Sequence, residues 1–140
     1  MEHYESSRPP WGSRVLVVED DAECRSAVKE ALEDCSFDVT EARDGKVALD
    51  QMTGGLRPAL VILDLEMPVM SGYELLQIMD GYQRLSRLPV LVISGTPRSD
   101  FVCGGSVVGF MAKPLDLNEL LDTVNACIGG GRAPLSTIPD

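Results

Sequence analysis

Five short apolar runs punctuate the sequence: Val15 to Val18, Val39 to Ala42, Leu60 to Leu63, Val90 to Ile93 and Val107 to Met111. Most of them are continuous rather than alternating. A strand with one face in water alternates apolar and polar residues, whereas a strand covered on both faces is apolar throughout, so the runs specify a buried parallel sheet. Helical periodicity fills the gaps between them. Cys24, Val28, Ala31, Leu32 and Cys35 recur on one stripe, and Leu117, Leu120, Leu121, Val124 and Ile128 repeat the pattern near the end, giving two amphipathic helices. Asp21 can cap the first. Ser71 with Glu74 three residues on is a capping-box signature for a helix running to about Leu85. A shorter helix follows Asp44-Gly45 through Val47, Ala48 and Met52, and stops at Gly54-Gly55. After Ser94, Thr96-Pro97 suits a helix start, yet Gly104-Gly105 ends any helix within two turns, so the fourth helix is short.

Strands alternating with helices through right-handed crossovers give an α/β fold. The expected architecture is a flavodoxin-like, doubly wound five-stranded parallel sheet of order 2-1-3-4-5, with helices on both faces. With 140 residues, the chain fits one domain that needs no disulfide or metal to build its core. Residues 1–13 are a polar leader, 14–130 the domain, and 131–140 a tail or the root of a linker. The formal net charge is −10. Such a field repels nucleic-acid backbones and anionic membranes, which excludes direct binding to either. No apolar run is long enough to span a bilayer and the leader lacks a secretory core, so a cytoplasmic location is expected. Cys24, Cys35, Cys103 and Cys127 have no zinc-type spacing; Cys24, Cys35 and Cys127 fall on apolar helix stripes as free thiols. His3 carries no function, and Met67, Met70, Met79 and Met111 are packing residues.

The chemistry lies at the strand ends. Asp64 ends the third apolar run and Glu19-Asp20-Asp21 ends the first; in the expected order these strands are neighbours, so Glu19, Asp20 and Asp64 converge at the carboxyl edge, where open α/β sheets bind ligands. Crowded carboxylates either raise the pKa of one member or take up a cation, and hard oxygen ligands with room for water suit Mg²⁺. An aspartate beside such an ion can attack phosphorus in line. Lys113, at the end of the fifth strand, is the candidate ammonium for the remaining charge, and Ser94, at the end of the fourth, offers a hydroxyl to a phosphoryl oxygen.

The elements RVLVVEDD, PALVILDLEMPVMSGYELL, PVLVISG and FMAKP, spread over roughly residues 14–130, resemble the receiver domain of the two-component response regulator family. The resemblance implies Asp64 as phosphoacceptor, Asp20 and Asp64 as direct Mg²⁺ ligands, Glu19 assisting through water, and the backbone carbonyl of Glu66 as a further ligand. It implies Ser94 and Lys113 as phosphate contacts and Ser94 with Phe110 as the switch pair. The donor would be a histidine kinase or a histidine phosphotransfer protein, and the signal would pass to a downstream partner or a fused output domain through the face around the fourth helix, the fifth strand and the last helix. Such a domain is not an enzyme beyond slow self-dephosphorylation. Eighteen residues separate Ser94 from Lys113, fewer than is usual in that family, and the missing length falls on the fourth helix. Gly95 leaves access to the phosphoryl group open, while Glu66 and Thr96 occupy positions that tune its lifetime.

Two other readings compete. An aspartyl-phosphate hydrolase of the haloacid-dehalogenase type also uses an acidic nucleophile with Mg²⁺, but wants its DxD motif ending the first strand, which here ends in Glu-Asp-Asp, while Asp64-Leu65-Glu66 sits on the third. An interaction module that is never phosphorylated would suit the short fourth helix, but leaves the full set of acids, hydroxyl and lysine without a use.

Overall fold

The apolar runs form β1 (Arg14–Val18), β2 (Asp38–Ala42), β3 (Leu60–Asp64), β4 (Val90–Ser94) and β5 (Val107–Ala112). The computed structural model in which they are seen describes residues 14–96 and 106–129. All pairings are parallel, in the order β2-β1-β3-β4-β5, as the sequence predicts. The three central strands are buried along the apolar runs, while β2 and β5, at the edges, are only partly covered.

Successive side chains of a strand point to opposite faces, so each run feeds two cores. Val15, Val17, Leu60, Ile62, Leu91 and Ile93 meet Val28 and Leu32 of α1 (Ala22–Asp34) and Leu120 and Val124 of α4 (Leu117–Gly129). Leu16, Val18, Val61, Leu63, Val90 and Val92 meet Ala48 and Met52 of α2 (Gly45–Thr53) and Leu75 and Met79 of α3 (Gly72–Asp80). Truncating a fully buried leucine of either core to alanine costs about 2–5 kcal/mol.

Local chemistry sets the helix starts. Asp21 accepts hydrogen bonds from the Glu23 and Cys24 amides, Asp44 from Val47, and both arms of the Ser71–Glu74 capping box are made, at 3.2 and 2.9 Å. The helix begun at Ser71 is shorter than its periodicity predicts. It ends at Asp80 with Gly81 as its C-cap, and Leu85 enters the core from a separate 3₁₀ turn, Leu85–Arg87. Leu85 lies seven residues after Ile78, a spacing that imitates a helix. Cys35 also departs from expectation: it is the exposed C-cap of α1, past the last helical turn, whereas Cys24 is half-buried and Cys127 buried. The leader, the tail, Cys103 and the short fourth helix lie outside the described residues. Among the described residues, no helix is long and apolar enough to cross a membrane.

β5 enters with an irregularity. Val107 pairs with Val90 but Gly109 pairs with Leu91, so Val108 is an extra residue on the β5 side, a bulge.

Candidate metal centre in an acidic pocket

The rows of side chains that face α1 and α4 continue past the strands. Val15 and Val17 lead to Glu19, Leu60 and Ile62 to Asp64, and Gly109 and Met111 to Lys113. Because the strands are parallel, the three rows end at one edge. Lys113 Nζ lies 2.7 Å from Glu19 Oε1 and 3.4 Å from Asp64 Oδ2. Glu19 and Asp64 are almost fully buried, Asp20 is exposed beside them, and each of the three acids offers an oxygen within 4.8 Å of the others. Backbone amides fix two of the carboxylates: Asp21 N–H donates to Glu19 Oε2 at 3.1 Å and Glu66 N–H to Asp64 Oδ1 at 3.2 Å.

This crowding separates the behaviour of the two buried acids. Burial pushes the Asp64 carboxyl up, and the negative charge of Glu19 pushes it further, from the ordinary 3.8 to about 7. Burial acts upward on Glu19 as well, but the Lys113 hydrogen bond and the Asp21 amide outweigh it and hold Glu19 below its ordinary value. Lys113 loses by burial and gains more from Glu19 and Asp64, so its ammonium is strengthened. Burial first, and Glu19 second, lift the neighbouring Cys24 thiol to about 11, which keeps it protonated and unreactive at neutral pH.

The donor set suits a small hard dication. Oxygens on one octahedral Mg²⁺ lie about 3 Å apart when adjacent and about 4.2 Å when opposite, given bonds near 2.1 Å. A trio spanning up to 4.8 Å fits direct contact by some members and contact through water by another.

Ser94 ends the opposite row, Val90–Val92–Ser94. Its buried hydroxyl lies 3.0 and 2.9 Å from the two Glu66 carboxylate oxygens and 3.1 Å from the Thr96 carbonyl, and it accepts the Thr96 amide at 3.1 Å. One hydroxyl proton serves three competing acceptors. Sequence reading singled out both Ser94 and Glu66 without foreseeing that they bind each other. Gly95 continues the row that points at the acids, and among the described residues a Cβ there would meet nothing within 4 Å. Phe110 pairs with Val92 on the face shared by Ser94 and is 38% exposed, not part of the core.

Two residues that build the pocket escaped the sequence. Arg25 of α1 donates from Nη1 to the Glu19 carbonyl at 2.7 Å and from Nε to Glu41 Oε1 at 3.1 Å, tying the β1 exit to β2. Its only sequence signal was a lone arginine on a capped helix. Gly72 opens α3 against the phosphoacceptor candidate's own turn: its amide bonds the Leu65 carbonyl at 2.9 Å, and a Cβ would collide with the Asp64 carbonyl oxygen and Leu65 Cα. Between them, Val69 holds φ +69° with Met70 N–H bonded to the Pro68 carbonyl at 2.7 Å, a γ-turn that a β-branched residue adopts only under strain.

Comparison with known proteins agrees with this geometry. Residues 15–125 match the family model described as the response regulator receiver domain. The two-component response regulator ORR21 of Oryza sativa is 35% identical over 79% of this chain, and the Regulator of RpoS of Escherichia coli is 34% identical over 87%. The chain spans 16% and 36% of those two proteins. Among solved structures, a response regulator receiver protein from Pseudomonas putida superposes with a TM-score of 0.73 at 32% identity, covering 84% of this chain and 96% of that one. The Vibrio cholerae chemotaxis protein CheY4 gives 0.73 at 28% identity, covering 80% and 95%.

Proposed function

This chain belongs to the response regulator receiver domain family of two-component systems, and on that premise we propose that it accepts a phosphoryl group from a phospho-histidine onto Asp64. Proteins of this family are signalling domains that work with histidine kinases and output domains and bind Mg²⁺ at an acidic pocket. The observation that carries the proposal is the grouping of Glu19, Asp20 and Asp64 with the Lys113 ammonium 3.4 Å from Asp64.

Asp20 and Asp64 would hold Mg²⁺ directly with the Glu66 carbonyl, and Glu19 through water; the bound ion supplies neutralisation of phosphoryl oxygens. Asp64 attacks phosphorus in line, forming a P–O bond as the P–N bond to the donor imidazole breaks and the leaving imidazole recovers a proton. Lys113 neutralises phosphoryl charge that the ion does not. Gly95 leaves the approach clear. Ser94 must exchange its Glu66 partner for a phosphoryl oxygen, and that exchange is the switch: the hydroxyl moves toward Asp64, Glu66 is released, and Phe110 follows on the same face of the sheet. A downstream partner or a fused output domain reads the altered β4–β5 side. The donor is a histidine kinase or a histidine phosphotransfer protein, and the domain functions in the cytoplasm.

Incubation with Mg²⁺ and phosphoramidate, followed by intact mass measurement, tests the reading. Wild type is expected to gain one phosphoryl mass and Asp64→Asn none. An unmodified wild type that also fails to bind Mg²⁺ would favour a pure interaction module.

A further inference from the structure

The edge of the sheet opposite the acidic pocket carries the reverse chemistry. Arg57, on the connection entering β3, and Gln83, Arg84, Arg87 and Leu88, between α3 and β4, line a cavity of about 450 Å³. These connections lie side by side because β3 and β4 are paired and parallel. About 16 Å of strand separates them from Asp64.

Three features mark the cavity as a place for an anion. Among the described residues its lining contains no carboxylate, in a chain with 22 acids against 12 bases. Among the described residues, Arg25, Lys29, Arg43, Lys46 and Lys113 each have a carboxylate within 4.0 Å, whereas the three cavity arginines, like Arg14, do not. Arg84 is held in place by a hydrogen bond from Nη2 to the Met52 carbonyl, while its Nη1 is buried with no acceptor. A buried donor left without a partner costs about 1–3 kcal/mol, a cost that a small turn of the guanidinium toward an anion in the cavity would remove.

We propose that this cavity binds a small phosphorylated molecule carrying two or more phosphate groups. The volume is that of a small-molecule site. All its cations are arginines, whose planar forks match phosphate oxygens two at a time. Three guanidiniums balance the charge of a diphosphate, about −3 at neutral pH. Arg84 is the fixed donor at the base, exposed Arg57 and Arg87 close over the ligand, and Leu88 supplies an apolar wall.

The test uses the full chain in EDTA, which removes metal-assisted anion binding at the acidic edge, with pyrophosphate as the probe at constant ionic strength. Amide NMR titration is expected to show saturable shifts centred on residues 83–88 and 57. Arg57→Ala and Arg87→Ala, at exposed positions without side-chain hydrogen bonds among the described residues, are each expected to weaken binding roughly tenfold. Absence of saturation by about 10 mM probe, or an affinity unchanged in the Arg57→Ala/Arg87→Ala double variant, would overturn the proposal. So would tighter binding of an oligoglutamate peptide than of pyrophosphate, which would assign the cavity to an acidic protein partner.

Discussion

The two edges of the sheet hold opposite charges in opposite states of completion. At the carboxyl edge, Glu19 and Asp64 are buried, held by backbone amides and shared by one lysine. At the amino edge, Arg57, Arg84 and Arg87 gather with no acid among the described residues that line their cavity, and of the three Arg84 is the one those residues anchor. The same apolar rows run between the two, so neither difference comes from the core. It comes from the connections. Those at the carboxyl edge are clamped, with Gly72 jammed under the Asp64 turn and Arg25 tied to the Glu19 carbonyl. Substitutions should therefore cost much more at one edge than at the other.

The sharpest break is Gly72→Ala. Its methyl group has no space beside the Asp64 carbonyl, so a loss of about 3 kcal/mol in urea unfolding is expected. Slower phosphorylation should accompany it, because the acceptor turn is displaced. Lys113→Met comes next. It leaves Glu19 buried without its cation, and about 2 kcal/mol should be lost in EDTA once the partial exposure of the lysine is allowed for.

Asp64→Asn should act in the other direction. A carboxyl raised from 3.8 to about 7 in the folded chain keeps a proton that the unfolded chain has already released. Stability of the metal-free protein should therefore fall as pH rises from about 4 to about 7 and level off above. Glu19, held below its ordinary value of 4.5, contributes stability that is present above that value and lost as pH falls below it. Unfolding in EDTA is expected to find Asp64→Asn more stable than wild type by about 2 kcal/mol at pH 8 and by less at pH 5. An equal difference at both pH values would mean that Asp64 carries no raised pKa. The smallest effect belongs to the amino edge: Arg87→Ala, exposed and unpaired, should change stability by no more than about 0.5 kcal/mol in anion-free buffer.

What the sequence disclosed follows from the range of the interactions involved. Strand positions were legible within one residue because two-sided burial imposes a continuous apolar run, and helix starts were legible because Asp21, Asp44 and the Ser71–Glu74 pair act within one turn. The acidic pocket followed from three strand ends and a strand order. Contacts between distant residues were not legible: Ser94 with Glu66 is 28 residues apart and Arg84 with Met52 is 32, and no periodicity encodes either. The end of α3 was misplaced although Gly81 marked it, because Leu85 repeats the spacing of a longer helix.

The misfit between β4 and β5 bears on how this edge strand can vary. Counting odd and even from Val107 would aim Lys113 at the α2–α3 side, away from Glu19 and Asp64; the spare residue at Val108 reverses that parity. A connection into β5 that is shortened by one residue can be accommodated by ironing out this slack at the strand's mouth. Length can then drift upstream while the ammonium keeps its aim.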